Sequence, residues 1–229
     1  MAFQLGSSTK MKKLAGFLGI DKKQVASADL PCGYTCPMAD KCKSFCNPVT
    51  GKIHDAPSCE YRCYGASIEA LYPCVRRVHW NNFDALRIAK TTGGMTDVIL
   101  HAIPSCIKIM RIHSFGDFYN ENYFQAWLNV AEKLANITFF SYTKILPYMR
   151  IPRPDNFSMV YSYGGKLDHM RIDEPTAYVV DTVADASKLG IELSCQTHPA
   201  DDYDFIRAGK SFGLVIHGNQ AKHHKAMSA

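Results

Sequence analysis

Six of the nine cysteines lie in one 32-residue stretch, at Cys32, Cys36, Cys42, Cys46, Cys59 and Cys63. Prolines and glycines are interspersed among them, so we expect an irregular loop without helices or strands. A loop this rich in thiols is explained by a disulfide framework, a structural zinc ion or an iron–sulfur cluster. The choice among these three constrains the fold and the function more than any other feature of the chain.

The expected compartment argues against a disulfide framework. No apolar run reaches the roughly 20 residues that a membrane span requires, and the amino terminus lacks the apolar core and cleavage site of a signal peptide. We therefore expect a cytoplasmic protein without membrane association. Because the cytoplasm is reducing and an odd number of cysteines cannot pair completely, the cysteine-rich loop indicates a metal site.

The spacing of the cysteines favours an iron–sulfur cluster over zinc. Zinc sites commonly pair their ligands as C-x2-C, whereas the intervals here are C-x3-C and C-x5-C, which suit a group larger than one ion. The C-x3-C-x2-C motif of radical S-adenosylmethionine enzymes is incomplete, because Ala66 stands where the third cysteine would follow Cys63. Three further cysteines are isolated and are interpreted as small buried residues: Cys74, Cys106 and Cys195.

The composition predicts one large domain with a substantial core. The chain has 229 residues, of which 47% are hydrophobic. We expect a polar lead-in over residues 1–30, a single α/β iron–sulfur domain over residues 31–220 and a flexible tail over residues 221–229. The net charge of +5 comes from scattered basic residues, so nucleic acid is a disfavoured partner.

Alternating helical and strand-like segments predict a mostly parallel sheet. Helices are expected over residues 12–18, 66–92 with a break at Pro73, 95–103, 119–134 and 184–189. Strands are expected over residues 107–113, 137–142, 159–163, 177–180 and 214–217. Five or six such strands form either an open α/β sheet or an incomplete (β/α) barrel, to which the long cysteine-rich loop would add a metal cluster.

Polar residues follow each predicted strand, where parallel sheets bind their ligands. Those after the first two strands are His113, Ser114, Gly116, Asp117, Tyr142, Thr143 and Lys144. Those after the later strands are Tyr163, Gly164, Gly165, Asp181, His217, Gly218, Asn219 and Gln220. A single polar residue at such a place is usually a turn residue. The joint pattern predicts a functional site at the carboxyl ends of the strands, which we call the mouth of the sheet.

Ordered motifs along the chain resemble the gene-product-88 family of bacteriophage proteins. They include TCPMADKC over residues 35–42, YRCYGASIEA over residues 61–70, RIHSFGDF over residues 111–118, FSYTK over residues 140–144 and IHG over residues 216–218. The resemblance covers most of residues 31–220. It implies an iron–sulfur protein with an α/β barrel-like body, distantly similar to radical S-adenosylmethionine domains, in the cytoplasm of a host cell.

The resemblance also implies a set of cluster ligands. By it, Cys36, Cys42 and Cys63 are the expected ligands of a [4Fe–4S] cluster. The fourth ligand is expected to be Cys46, and the alternatives are Cys59, Cys32, His113 or an open iron.

The motif after the first strand supplies further candidate residues. His113 is expected either to ligate the cluster, to hydrogen-bond one of its sulfurs, or to be a structural histidine at the end of the sheet. Arg111 is expected on the same side of its strand as His113, where it would bind a carboxylate or phosphate or pair with an acidic neighbour. Catalytic roles are expected for His113, Asp117, Arg111 and Lys144, and cofactor contacts for His113, Gly116 and Tyr142.

The sequence favours a redox protein that uses a [4Fe–4S] cluster. Four cysteine ligands would make the cluster an electron carrier, whereas an open iron would permit reductive, radical-SAM-like or hydrogenase-like chemistry. The expected partners are an electron donor or a small-molecule substrate. The alternative is a zinc-stabilised module that binds nucleic acid or protein. A hydrolase with a cysteine nucleophile is a weaker hypothesis, since no local signature links one cysteine to a base.

Overall fold

The centre of the molecule is a parallel β-sheet. The computed structural model describes residues 2–194 and 202–216. The strands are β1 (Val25–Ala28), β2 (Ser44–Cys46), β3 (Ile53–Asp55), β4 (Ile109–Ile112), β5 (Thr138–Thr143), β6 (Phe157–Ser162), β7 (Thr176–Val180) and β8 (Phe212–Val215). Six of them form one sheet in the order β1-β4-β5-β6-β7-β8, and all neighbours in it are parallel. The sheet is open, so of the two expected forms the structure confirms the open one.

The helices that cover this sheet confirm the predicted alternation. They are α1 (Thr9–Phe17), α2 (Tyr64–Leu71), α3 (Pro73–Ala89), α4 (Thr92–Ala102), α5 (Glu121–Lys133), α6 (Leu146–Met149), α7 (Val183–Lys188) and α8 (Tyr203–Arg207). The helix expected over residues 66–92 is divided at Pro73, which occupies the first turn of α3. Proline is accepted there because the first helical N–H groups have no partner within the helix. No helix in residues 2–194 and 202–216 has the length and apolar character to cross a membrane.

The polar lead-in expected over residues 1–30 contains a strand that was not predicted. Strand β1 pairs with β4, with Val25 opposite Ile109 and Ala28 opposite Ile112, and all four of its residues are buried. Its sequence VASA is short and lacks both alternation and bulky β-branched residues, so it carries little strand signal. The lead-in therefore contributes an edge strand to the same sheet as the rest of the chain.

The cysteine-rich loop contains a hairpin, so the expectation that it lacks regular elements is wrong. Strands β2 and β3 pair antiparallel, with Cys46 opposite Ile53. The turn between them is closed by Asn47, whose side-chain oxygen accepts the N–H groups of Val49 and Thr50, each at 2.9 Å. Pro48 lies within this turn. Such local bonding is what asparagine supplies in turns, and it lets a proline-containing segment close a hairpin.

Two hydrophobic clusters cover the opposite faces of the sheet. The larger one includes Met110 and Ile112 of β4 and Trp127 of α5. The smaller one includes Ile109 of β4 with residues from α1 and α8. Alternate residues of a strand point to opposite faces, which explains why neighbours on β4 belong to different clusters. Because both faces are covered, polar groups from different strands can meet at the carboxyl edge of the sheet.

Candidate functional site

Four cysteine thiols line one cavity at the carboxyl edge of the sheet. The cavity measures about 120 Å³ and is lined by Cys32, Cys36, Cys42 and Cys63. Its remaining wall comes mainly from residues at the ends of β4, β5 and β6: Ser114, Phe115, Gly116, Asp117, Tyr142, Thr143, Lys144 and Ser162. The expected mouth therefore exists at these three strands, and the cysteine-rich loop packs over it.

Cys63 has the most readily ionised thiol of the four. A hydrogen bond from the Cys32 thiol, helped by the backbone N–H groups of Ala66 and Gly65, lowers the pKa of Cys63 to about 7. Cys63 directly precedes α2, where the exposed N–H groups of a helix favour negative charge. The same contact with Cys63, together with burial, raises the pKa of Cys32. The pair therefore shares one proton readily, with the negative charge on Cys63.

The other two thiols are neutral in this environment. Burial, followed by the nearby charge of Asp117, raises the pKa of Cys36 well above its usual value. Burial raises the pKa of Cys42 to about 11, although the ammonium group of Lys144 acts in the opposite direction. Buried thiols lose their protons when they coordinate a metal, because the ion supplies the compensating charge. A metal ion in the cavity would therefore allow the buried thiols of Cys36 and Cys42 to ionise and coordinate it together with Cys32 and Cys63.

Lysine side chains hold the backbone of the cysteine-rich loop in place. The Nζ of Lys43 donates to the carbonyl oxygens of Gly33 and Cys36, each at 2.7 Å. From the sheet side, the Nζ of Lys166 donates to the carbonyl oxygen of Pro37 at 3.2 Å. These bonds satisfy carbonyl groups that a loop would otherwise leave without partners. They fix the segment that carries Cys36 against the sheet.

Two glycines allow close contact between the backbone and the segment that carries Cys32 and Thr35. A Cβ atom at Gly65 would overlap the Sγ of Cys32. Gly116 has a φ of +90°, and a Cβ atom there would lie 2.6 Å from the Oγ1 of Thr35. Gly116, an expected cofactor contact, thus lines the cavity and also provides a backbone conformation that other residues rarely adopt.

Asp117 joins the ends of two strands beneath the cavity. Its Oδ1 accepts the Thr143 hydroxyl and the Phe118 N–H, each at 2.8 Å, and its Oδ2 accepts the Lys144 N–H at 2.9 Å. Burial raises the pKa of Asp117 to about 6, although these hydrogen bonds act against the shift. Because its oxygens bind neighbouring protein groups, Asp117 positions the residues after β4 and β5.

Lys144 places a buried positive charge in the cavity wall. It is 7% exposed, and its Nζ donates to the Ser162 carbonyl at 2.9 Å, the Ser162 hydroxyl at 3.0 Å and the Tyr163 carbonyl at 2.7 Å. All three acceptors are neutral. Among the described residues no carboxylate forms an ion pair with this ammonium group. Since buried charges are normally compensated, Lys144 favours an anionic occupant of the cavity.

His113 and Arg111 do not lie together, so the expectation that they share one side of a strand is wrong. His113 has a φ of +67°, which turns the chain as it leaves β4. Its Nε2 lies 3.0 Å from the Tyr123 hydroxyl and its ring packs on Phe118. The Arg111 guanidinium instead lies 5.0 Å from the ring centre of Tyr142. Only Tyr142 of this group lines the cavity.

His113 is a neutral histidine packed beside the large hydrophobic cluster. It is 3% exposed, and burial, with a smaller contribution from Arg111, lowers the pKa of His113 to about 3. It is not among the residues that line the cysteine cavity. The structure therefore favours the structural interpretation of His113 over a role as a ligand.

The fourth cysteine that lines the cavity is Cys32, one of the expected alternatives, and not Cys46. The Cys46 Sγ lies 3.7 Å from the Asn47 carbonyl oxygen and 4.0 Å from Nη1 of Arg76, outside the cavity. The Sγ of Cys59, the next alternative, lies 3.1 Å from the carbonyl oxygen of Tyr61. Cys46 is the last residue of β2 and is fully buried beside the Arg76 guanidinium, not in the cavity. The structure thus groups Cys36, Cys42 and Cys63 as expected, with a different fourth member.

Two buried carboxylates that support the site were not predicted. Glu69 is 0% exposed, and its Oε1 accepts the Cys32 N–H at 3.0 Å and lies 2.7 Å from Nδ1 of His79. Asp29 accepts the N–H groups of Ser114 at 2.6 Å and Phe115 at 3.1 Å. A charged residue inside an apolar helical segment was the available signal for Glu69. Asp29 follows β1 directly, and it was missed together with that strand.

Two of the three isolated cysteines lie on the surface of the molecule. Cys74 and Cys106 are exposed, so their interpretation as buried residues is wrong. Other expected residues lie outside the described part of the chain: Cys195, His217, Gly218, Asn219, Gln220 and the tail over residues 221–229.

The described thiols are not arranged for a single metal ion. Among residues 2–194 and 202–216, no three histidine, cysteine, aspartate or glutamate side chains are grouped as ligands of one ion. All described cysteines are free thiols. The four lining thiols instead surround a space that is larger than the roughly 10–15 Å³ that holds one water molecule. Thiols are the donors that bind zinc and iron–sulfur clusters, and these four line one cavity.

The sequence model of a protein family described as gene product 88 matches residues 4–229. The chain belongs to the gene product 88 family. It is 26% identical over 210 residues to the gene 88 protein of Mycobacterium phage D29, covering 82% of this chain and 81% of that protein. It is 27% identical over 141 residues to the gene 88 protein of Mycobacterium phage L5, covering 57% and 52%. No solved structure matches the chain. The family match confirms the resemblance and extends it into the lead-in.

Proposed function

We propose that this phage protein binds a [4Fe–4S] cluster through Cys32, Cys36, Cys42 and Cys63 and uses it to transfer electrons. The observation that carries the proposal is the convergence of these four thiols on one cavity at the carboxyl ends of β4, β5 and β6. Four thiolates are the usual ligand set of such a cluster. The cluster would supply one-electron redox chemistry.

The charges around the cavity support an anionic cluster rather than a neutral ligand. Four cysteine thiolates carry more negative charge than the metal core neutralises. Lys144 presents a buried ammonium group to the cavity, and Cys63 lies at the start of α2, where N–H groups favour negative charge. These two features would stabilise the negative charge of the bound form.

An unused hydrogen-bond donor also fits a cluster sulfur. Ser114 lines the cavity, and its hydroxyl oxygen is buried without a hydrogen-bond partner. Buried polar groups seldom remain unpaired, and hydrogen bonds to cluster sulfurs adjust the reduction potential. The Ser114 hydroxyl is therefore a candidate donor to the bound group.

The number of thiols in the cavity bears on the reaction class. Four thiols are enough to bind all four irons, which favours electron transfer over chemistry at an open iron. Radical-SAM-like and hydrogenase-like reactions both need an iron that one protein ligand leaves free. The zinc alternative has less support, because the C-x3-C and C-x5-C intervals differ from the C-x2-C pairs that are common in zinc sites.

Metal analysis of the anaerobically purified protein tests this proposal. We expect about four iron and four sulfide per chain and a broad absorption that bleaches with dithionite. One zinc ion per chain without sulfide would refute the cluster.

A matched pair of serine substitutions tests the ligand set. Cys32→Ser is expected to reduce iron loading or change the electron paramagnetic resonance signal of the reduced protein. Cys46→Ser replaces a cysteine at the same C-x3-C interval of the same loop, outside the cavity, and is expected to retain full iron. Full loading with Cys32→Ser and loss with Cys46→Ser would overturn the assignment of the fourth ligand.

A further inference from the structure

A second and larger cavity lies beside the cysteine cavity. It measures about 540 Å³ and is bounded by residues 4–9, by α2 and by α3. Phe115 lines both cavities. A Cβ atom at Gly65 would lie 2.7 Å from Cδ1 of Phe115 and would overlap the Sγ of Cys32. The Phe115 side chain therefore lies between the large cavity and the Cys32 thiol.

The walls of this larger cavity are mainly apolar and aromatic. The rings of Tyr64 and Phe115 are nearly parallel, with their centres 5.8 Å apart and an angle of 14° between their planes. Tyr64 and Tyr72 are 53% and 52% exposed, so large aromatic faces are open to a ligand. Val75 and Val78 of α3 form an aliphatic side of the cavity. Flat rings pack well against such surfaces.

The ionisable groups of this cavity already have hydrogen-bond partners within the protein. Of the described residues that line it, Asp29 and His79 are the ionisable ones other than tyrosine and cysteine. The carboxylate of Asp29 accepts two backbone N–H groups and the Ser27 hydroxyl, the latter at 2.7 Å. The ring of His79 is paired with Glu69. Neither group is available to bind a charged ligand, so a neutral molecule fits best.

We propose that this cavity is the binding site for a neutral, planar small molecule that packs on Tyr64 and Phe115. Its volume lies within the range of about 300–1,000 Å³ that is typical of small-molecule sites. A protein partner would need a broad surface of roughly 800 Å² on each side, whereas this site is a concave space between three segments. The binding site stands on its own geometry, but electron exchange between its ligand and a cluster held by Cys32 rests on the proposed function.

Fluorescence titration with prodan, a neutral naphthalene dye, tests the proposal on the purified full-length chain. We expect saturable one-to-one binding with a blue shift of the dye emission. Val78→Trp places a bulky ring inside the cavity and is expected to weaken binding at least tenfold. Leu71→Trp is the matched control, because Leu71 is an exposed residue of α2 outside the cavity, and it is expected to bind the dye as the parent chain does.

The outcomes separate this proposal from the cluster proposal. Absence of saturable binding to the parent chain, or equal weakening by the two tryptophan substitutions, would overturn the ligand site. Circular dichroism of both variants shows whether a loss of binding reflects a loss of fold, and Tyr64→Ala then provides a second test by removing an exposed ring. Iron and sulfide are measured on the same samples. Dye binding without iron would refute the cluster alone, and iron without dye binding would refute the ligand site alone.

Discussion

Replacing Gly65 by alanine would place a methyl group in contact with two residues of the site. In the present geometry that carbon would overlap the Sγ of Cys32 and lie 2.7 Å from Cδ1 of Phe115. Inserting a methyl group into a packed region costs typically about 1–3 kcal/mol. Alanine recovers up to about 1 kcal/mol relative to glycine within a helix. With the full offset, the net expectation for Gly65→Ala is a loss of up to about 2 kcal/mol in unfolding free energy.

The matched control is Gly93→Ala in α4. Gly93 and Gly65 each occupy the second position of their helices, but a Cβ atom at Gly93 would have no heavy atom within 4 Å. The control is therefore expected to stabilise the protein by up to about 1 kcal/mol. The same substitution should thus have opposite signs at the two positions.

Urea unfolding followed by circular dichroism measures both changes, and iron content provides an independent result. Gly65→Ala is expected to lower the iron content as well, because the added methyl group displaces Cys32. Gly93→Ala should leave the iron content unchanged. Equal changes in stability for the two variants, or full iron loading in a stable Gly65→Ala protein, would refute the close approach of Cys32 to α2.

Three further predictions concern buried ionisable groups. Lys144→Met removes the cation that donates to two carbonyl oxygens, so the reduction potential of the loaded protein should fall in an EPR-monitored titration. Lys133→Met, at an exposed lysine of α5, is the control, and an unchanged potential with Lys144→Met would contradict the role of Lys144. Glu69→Leu removes the acceptor of the Cys32 N–H and should lower the urea midpoint more than Glu69→Gln, which retains an acceptor. Equal decreases of the midpoint in the two variants would argue against the hydrogen bond between Cys32 and Glu69. Because burial lowers the pKa of His113 from 6.5 to about 3, its neutral form stabilises the fold above pH 6.5, and this contribution is lost as the pH falls towards 3. His113→Asn should therefore lose less stability between pH 7 and pH 4 than the parent chain in urea unfolding, and an identical loss would contradict the burial of a neutral imidazole.

Local sequence patterns were sufficient for most of the sheet and its helices. Strands β4 to β8 are rich in apolar residues and most of their residues are buried, which is a strong strand signal. Helix α5 carries a clear apolar stripe, and Pro73 marks the start of α3. Strand β1 lacked such a signal, because its partner β4 stabilises it from 84 residues farther along the chain, with Val25 opposite Ile109. Pairing at that distance depends on the tertiary structure.

The cysteine pattern predicted a thiol-rich site, and the family resemblance, not the spacing, assigned Cys36, Cys42 and Cys63 to it. It did not decide between Cys32 and Cys46, since both stand at C-x3-C intervals in the same loop. The tertiary structure makes that choice, because Glu69 of α2 binds the Cys32 amide, whereas Cys46 is buried beside Arg76 outside the cavity. Spacing along the chain reports which thiols can be neighbours, but the direction of each side chain depends on contacts between residues distant in the sequence.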